Sequence, residues 1–312
     1  MNSPSQNKPN SLWILIVNPA SANGSTGRRW PRHRSLLEKI LPPFEAWQTT
    51  HPGHALELAR KALDLGYTTI AVHGGDGTIN EIINGLLSHN TSEFQLALLP
   101  NGTGADLVRT LGISHALPKA ARQALTGKSK LLDIGLVRFI DLEGNPVQRH
   151  FINVTDVGFG GDLVRYVNHH SKWLGGRLSF LQGLLVTLVR YQNKRMVLTI
   201  NEQEKMEVRA SSIVVANGQY FGGGMWVAPE ARLNDGSFEV VVVGDVSKME
   251  VLANIKRLYR GTLAEHPKVT IFKAKTIELS SDEEVLIDMD GELVGRLPAR
   301  FQILHKKLPV IC

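Results

Sequence analysis

The chain has almost no cysteine. Cys312 is the single residue of that type among 312, so neither an intrachain disulfide nor a cysteine-rich zinc site can form. Such usage fits a reducing, cytoplasmic setting. Aromatic residues are sparse at 6%, and there is no internal repeat and no low-complexity tract, which excludes a repeat array or a collagen-like chain. Long apolar runs are missing too. Residues 178–189 are interrupted by Ser179, Gln182, Gly183 and Thr187 and fall short of the roughly 20 residues that a spanning helix requires. Lys8, the apolar residues 12–17 and Ala20-Ser21-Ala22 superficially imitate a secretion signal. That apolar run is shorter than the roughly 7 to 15 residues of such a signal and is broken by Asn18-Pro19, so it reads as a buried first strand.

What is present is an ordinary globular composition, 43% hydrophobic and 21% charged, with a net charge of +6 that favours anionic partners. The length is about twice that of a typical domain of about 150 residues, which predicts two domains. Residues 1–11 are polar and read as a disordered lead-in. Over 12–133 strands alternate with helices: a strand at 12–17, a helix at 30–41, a strand at 46–50, a helix at 54–65 and a strand at 68–73. A further helix at 78–87, a strand at 95–99 and a helix from about 104 continue the scheme. This is the pattern of an α/β domain with a parallel sheet. Over 134–299 short strand-like runs dominate, with a helical insertion at 162–191 and another helix near 248–259, which predicts a mainly antiparallel β-sandwich second domain.

Residues 69–87 (TIAVHGGDGTINEIINGLL) are the most informative. A strand enters Gly74-Gly75-Asp76-Gly77, and a helix leaves it with Ile79, Ile82, Ile83, Leu86 and Leu87 on one face. Thr78 fits an N-cap, and Glu81 would complete a capping box. The glycines alone are satisfied by a plain turn. Such a turn also gathers backbone N–H groups and a positive helix end around one point, which suits phosphate. Asp76 would repel phosphate there unless Mg²⁺ bridges the two, so its presence points to metal-nucleotide chemistry. A second strand at 96–99 enters a second glycine turn, Pro100-Asn101-Gly102-Thr103-Gly104-Ala105-Asp106. Neither turn is a Walker A loop or a G-x-G-x-x-G fingerprint.

The ordered set VNPASANG (17–24), Thr49-Thr50 with Gly53-His54-Ala55, GGDGTINE (74–81), PNGTGAD (100–106), PEARLNDG (229–236) and DGE (290–292) resembles the diacylglycerol kinase catalytic family. That family includes soluble bacterial lipid kinases and is related to sphingosine kinases. The resemblance runs from residue 12 to the end. It implies an NAD kinase-like nucleotide-binding domain, a β-sandwich domain for the lipid acceptor, a site in the cleft between them, and a return of residues 300–312 to the first domain. It further implies ATP contacts at Asn18, at Thr49 or Thr50, along Gly74, Gly75, Asp76, Gly77, Thr78, Asn80 and Glu81, and at Thr103. Asp290 and Glu292 match the acidic pair that supplies the proton acceptor, with Glu292 placed ahead, and Asp76 joins them as a catalytic residue. Asp235, with the backbone carbonyls of Arg232 and Ser237, matches a structural Mg²⁺ site. Asp290-Gly291 and Asn234-Asp235-Gly236 also read simply as turns. One departure stands out. The family's Gly-Thr-x-Asn-Asp reads Gly-Thr-Gly-Ala-Asp, so Ala105 lacks the polar side chain, and Gly104 is expected to keep the turn geometry.

A net +5 of the chain's +6 falls between Asp162 and Ile200, from Arg165, Lys172, Arg177, Arg190, Lys194 and Arg195 against Asp162 alone, interleaved with Trp173, Leu174, Leu178, Phe180 and further leucines. This pattern suits an amphipathic surface resting on anionic headgroups, and equally a helix packed on the sandwich with a solvated basic rim. His51, His54, His73, His169 and His170 lack metal-ligand spacing and read as structural. The expectation is therefore an ATP- and Mg²⁺-dependent lipid kinase, peripheral at the cytoplasmic membrane surface. A kinase of a soluble acceptor such as NAD is the nearest alternative, and a non-catalytic nucleotide- or nucleic-acid-binding protein the more distant one. No nucleic-acid-binding motif is present, and the oligomeric state, a homodimer included, is left open.

Overall fold

The computed structural model describes residues 12–88, 93–102, 104–170 and 176–312, without the side chains of 170 and 176–181. The expected lead-in at 1–11 lies outside the described residues. The chain divides into two compact units, one running to Leu132 and regaining Lys306–Cys312, the other spanning Asp133–His305.

The first unit contains β1 (Trp13–Val17), α1 (Ser25–Leu37), β2 (Phe44–Gln48), α2 (His54–Asp64) and β3 (Thr69–Gly74). It continues with α3 (Asp76–Leu87), β4 (Gln95–Pro100), α4 (Asp106–Thr110) and α5 (Leu117–Thr126). The strands form a parallel sheet in the order β2-β1-β3-β4. β1, β3 and β4 are nearly continuous apolar runs and are buried almost throughout, as a parallel sheet covered on both faces demands. α1 begins earlier than its apolar pattern suggests, directly after Gly24, whose φ of 76° ends the preceding turn. The helix expected from 104 is two helices, α4 and α5. α2 and α3 lie in close contact, because Gly85 of α3 has no side chain: a Cβ there would stand 2.5 Å from the Leu56 carbonyl oxygen and 2.9 Å from Ala59 Cβ.

The second unit is built from β5 (Ser129–Asp141), which leads in from the first, then β6 (Pro146–Phe151), β7 (Val154–Gly158), α6 (Phe159–His170) and α7 (Gly176–Arg190). β8 (Lys194–Ile200), β9 (Glu204–Ala210), β10 (Ser212–Ala216), β11 (Tyr220–Phe221), β12 (Met225–Trp226) and β13 (Phe238–Val243) follow. The unit ends with α8 (Lys248–Arg260), β14 (Val269–Ala274), β15 (Thr276–Ser280), β16 (Leu286–Met289) and β17 (Glu292–Ile311). One row of strands runs β14-β13-β10-β7-β16, and the other groups β6, β5, β17, β15, β8 and β9. The registers between β13 and β14, β10 and β13, β10 and β7, and β8 and β15 are antiparallel. The core holds Phe151, Phe238 and Phe301, all fully buried. The first two rings stack at 5.6 Å and the third meets Phe151 edge-on. This is a mostly antiparallel β-sandwich. The end of β17 returns to the first unit, where Val310 and Ile311 pair in parallel with Leu96 and Ala97 of β4. Among the described residues no helix is long and apolar enough to cross a membrane.

An alanine at an interior helical glycine ordinarily stabilises by roughly 1 kcal/mol. At Gly85 the contacts with α2 reverse the sign, and Gly85→Ala should destabilise by about 1–3 kcal/mol, read as a lower melting midpoint. An unchanged or raised midpoint would refute the close α2–α3 packing.

Candidate functional site

The parallel register brings the ends of four strands to one edge of the first unit. Val17 faces Gln48 and His73, and Gly74 faces Pro100. The next residues continue the ladder: Asn18 N–H donates to the His73 carbonyl at 3.0 Å, Thr49 N–H to Val17 at 2.9 Å and Asn101 N–H to Gly74 at 2.9 Å. The sheet order reverses between β1 and β3, and open α/β sheets bind ligands at such a switch point. Asn18 spans it. Its Nδ2 donates to Thr78 Oγ1 at 2.8 Å, and its Oδ1 accepts from Ala20 N–H at 2.9 Å. Below the turn His73 is buried. Its Nδ1–H donates to the Leu99 carbonyl at 3.0 Å, so its Nε2 accepts from His33 Nδ1 at 2.9 Å. Burial pushes its pKa down to about 4, which makes it a neutral pin between β3 and β4.

The two glycine turns touch backbone to backbone. A Cβ on Gly102 would stand 2.8 Å from Gly75 Cα, and one on Gly74 would stand 2.8 Å from Thr78 Oγ1. Asp76 lies under this contact. Its carboxylate accepts from the backbone N–H groups of Ala105, Asp106 and Leu107, so it sits at the start of α4. Its Oδ1 is buried and has no hydrogen-bond partner among the described residues. Desolvation, then the neighbouring Asp106 charge, push its pKa up. Asp106 is itself buried and pairs with Arg109 at 2.6 Å. A buried carboxylate oxygen lacking a partner, beside a second carboxylate, is a donor set that fits a divalent cation. Asp106 had been visible only as the last residue of the second block. Thr103 lies outside the described residues.

Three expectations are corrected here. Thr78 does not cap α3. The N-cap is Gly75, no side chain caps it, and Thr78 is buried two residues inside the helix. Glu81 completes no capping box either. Its two oxygens accept from Gly53 N–H at 3.0 Å and Ala55 N–H at 3.1 Å, so α3 reaches across to cap the start of α2. The strained residue of the second turn is Ala105, with φ 51°, and not Gly104. Gly104 is needed for proximity, because a Cβ there would stand 2.8 Å from Asp76 Oδ2. Among the other expected contacts, Thr49 and Asn80 are buried, and Asn80 accepts from Asn84 Nδ2 at 3.0 Å. Gly77 lies in the first turn of α3. Thr50 is exposed, and its N–H donates to His54 Nδ1 at 3.1 Å. His51, His54 and Glu57 bring ligand atoms within 4.8 Å of one another. The Thr50 N–H leaves the neutral His54 proton on Nε2, however, so that ring cannot ligate a metal without losing this bond.

In the second unit Asp290 and Gly291 form the turn between β16 and β17, with φ of 49° and 89°. Asp290 is more than a turn residue. Its carboxylate accepts from the N–H groups of Ile152, Asn153 and Val154 at 3.0–3.2 Å, which holds the β6–β7 corner. Glu292 pairs with Arg149 at 3.2 Å and is partly exposed. Next to them Asp288 of β16 faces Asp156 of β7, both buried. Burial pushes Asp156 up to about 7 despite bonds from Ser212 Oγ and Gly160 N–H. Burial and then the Asp156 charge raise Asp288 well above the usual carboxylate range, and its Oδ1 has no partner among the described residues. No motif in the sequence marks this pair. The only trace in the sequence is an aspartate within each of two apolar strands.

Asp235 meets a cation supplied by the protein itself. Its Oδ2 accepts from Lys273 Nζ at 2.6 Å, and its Oδ1 accepts from Ser237 N–H and Oγ. Desolvation works upward on this carboxyl, but the Lys273 and Ser237 bonds outweigh it and hold it low. Arg232 lies exposed in the same turn. This donor set does not fit Mg²⁺ while Lys273 stays in place.

The basic stretch divides between α6, α7 and β8 instead of forming one helix. Arg165 pairs with Asp162 and Glu284, and Lys194 with Glu283 at 3.2 Å, which removes part of the expected positive rim. Lys172, Trp173 and Leu174, and the side chains of Arg177, Leu178 and Phe180, lie outside the described residues. α6, α7 and α8 cover an apolar cavity of about 150 Å³, walled by Leu163, Leu184, Val214, Ile255 and Leu258, with Asp156 on its lining. A larger open groove of about 650 Å³ lies along β5, β6 and β15, but no expected site residue lines it.

Residues 12–137 match the diacylglycerol kinase catalytic domain, and residues 154–312, half of the chain, match the YegS C-terminal NAD kinase beta sandwich-like domain. The chain is 28% identical over 304 residues to a diacylglycerol kinase of Staphylococcus carnosus (strain TM300), covering 95% of this chain and 93% of that one. It is 29% identical over 303 residues to a diacylglycerol kinase of Staphylococcus aureus (strain MRSA252), covering 95% and 90%. A crystal structure of a diacylglycerol kinase from Bacillus anthracis str. Sterne shares the fold, with a TM-score of 0.70 at 22% identity and 96% of each chain covered.

A left-handed alanine costs about 1–2 kcal/mol, whereas asparagine and glycine adopt that conformation readily. Ala105→Asn and Ala105→Gly should each raise the melting midpoint, by a gain on the order of 1 kcal/mol. A fall in both would remove the strain at Ala105. Asp156 yields a pH test. Its folded pKa of about 7 lies above the ordinary 3.8, so the stability it contributes is full below the ordinary value and is lost as the pH rises toward 7. Asp156→Asn should therefore gain on the unsubstituted protein, in unfolding midpoint, from about pH 4 to about pH 8. Parallel profiles would contradict the raised pKa.

Proposed function

The chain belongs to the diacylglycerol kinase family and is a lipid kinase, and on that premise we propose that it transfers the γ-phosphoryl group of ATP, with Mg²⁺, to the hydroxyl of a diacylglycerol-like lipid at an anionic membrane surface. The observation that carries this reading is the buried, partnerless Oδ1 of Asp76 beneath two touching glycine turns. The turns present main-chain N–H groups where a triphosphate can approach, and the uncapped start of α3 adds its positive end. Asp76 would hold Mg²⁺ through its partnerless Oδ1, and the metal would supply charge neutralisation along the phosphates. Asn18 and Thr78 lock the turn on one side, and Asn101 Nδ2, donating to Thr26 Oγ1 at 2.8 Å, locks it on the other, so the cradle is set before ATP arrives.

Glu292 takes the proton of the acceptor hydroxyl. Asp290 is the weaker candidate, because three backbone N–H groups already claim its carboxylate, whereas Glu292 has one exposed ion pair to give up. The apolar cavity of the second unit suits an acyl chain and speaks for a lipid over a soluble acceptor such as NAD. Work at a membrane surface on the cytoplasmic side completes the reading.

The test is incubation of the purified protein with labelled ATP, Mg²⁺ and a panel of lipids and soluble alcohols that includes diacylglycerol and NAD. Label should move to a lipid. Asp76→Asn should lower turnover on the order of a thousandfold, equivalent to the several kcal/mol a metal contributes, while the melt stays cooperative. Transfer to NAD alone, or full turnover in Asp76→Asn, would overturn the reading.

A further inference from the structure

We propose that the outward face of α8 is the surface on which this chain lies against an anionic bilayer. The proposal gives the lipid-kinase reading its docking site, yet it rests on separate observations. α8 has two apolar faces. Val251, Ile255 and Leu258 turn inward and line the cavity. The opposite stripe, at spacings of three and four residues, carries Met249, Leu252, Lys256 and Arg260, and Tyr259, which also lines the cavity, stands at its edge. Met249 is 74% exposed, Tyr259 54% and Leu252 43%, and α8 buries none of its residues fully.

The charge on this face is of one sign. α8 carries Lys248, Lys256, Arg257 and Arg260 against Glu250. The flanking charges are settled locally, Glu250 by Lys268 and Arg257 by Glu265. Among the described residues neither Lys256 nor Arg260 has an ion-pair partner. The patch extends to the end of α7, where Leu185 and Val189 are also exposed. Lys248 Nζ donates to the Val189 carbonyl and holds the two helix ends together.

Exposed apolar residues interleaved with unpaired cations and a tyrosine match the layered chemistry of a membrane interface, in which apolar side chains enter the acyl boundary and cations meet phosphate headgroups. Charge complementarity selects anionic lipid. The same helix then floors the cavity with its inner face and meets the membrane with its outer one.

The test is co-sedimentation of the full chain, without ATP, with vesicles of phosphatidylcholine alone or mixed with phosphatidylglycerol. The protein should pellet with the anionic vesicles. The double substitution Met249→Glu and Leu252→Glu should weaken partitioning at least tenfold at any salt concentration. Lys256→Glu with Arg260→Glu should weaken it only with anionic vesicles and most at low salt. Leu142→Glu, on an exposed turn of the sandwich, is the control and should leave it unchanged. Cooperative melts in each variant establish that the fold is intact. Equal pelleting of all variants would overturn the docking surface, as would a concentration-dependent dimer that Met249→Glu with Leu252→Glu dissolves, which would assign the face to a second copy. Activity on a short-chain, freely dissolved diacylglycerol separates the two proposals. Its loss in the unsubstituted protein would strike the kinase reading alone.

Discussion

Two stretches of backbone reach van der Waals contact only where side chains are missing, and that constraint at Gly75 and Gly102 governs the strand-end surface of the first unit. Any Cβ at Gly102 would force the turns apart, and one at Gly104 would push into Asp76. With the turns together, the Asp76 carboxylate drops onto the N–H groups at the start of α4, where its desolvation is partly offset by three backbone donors. The cost of that burial is retained by the fold. It leaves one carboxylate oxygen facing inward with nothing to bind, and this is the chemical opening a cation would fill.

The helix ends of the same edge divide along similar lines. α2 and α3 both begin beside the strand ends, and both offer unpaired N–H groups to an anion. Glu81 closes the first of them with its own carboxylate. No side chain closes the second. The carboxylate of Glu81 therefore occupies the positive end of α2, whereas no side chain caps that of α3. Asn18, bonded to Thr78, keeps that open end fixed against β1.

Much of this was legible in the sequence. The apolar strands before each glycine turn, the one-faced stripe of α3 and the ordered motif blocks depend on local spacing, and local spacing is what a sequence displays. The partner of Glu81 was not legible, because the capping-box pattern three residues from Thr78 looks the same whether the carboxylate turns to its own helix or to another. Ala105 misled for a related reason. Glycine is the usual left-handed residue, but Gly104 is required for a close approach and the strain passes to its neighbour. The length of β17 was hidden by Gly295, Pro298 and the pair Lys306-Lys307, which break the alternation that marks a strand. The outward stripe of α8 escaped notice because a helix with two apolar faces looks buried until its contacts are known. The ion pairs of Arg165 and Lys194 with the acids before β16 join residues some 90 to 120 positions apart, and no window on the sequence spans that distance.

The turn at residues 290–292 shows why a structural and a chemical reading of one motif need not compete. A two-residue hairpin needs positive φ at both central positions, which Asp-Gly provides. Asparagine would satisfy the backbone equally well. It would not satisfy the surroundings, because three N–H donors converge on the side chain, and an amide places donors of its own where a carboxylate offers only acceptors. Asp290 is thus required by the corner between β6 and β7. Glu292 opens β17, paired across the hairpin with Met289 and held by a partly exposed arginine that solvent can replace. An anchored acid fixes the position of the hairpin, and the acid two residues further on keeps a freedom of movement that the anchored one lacks.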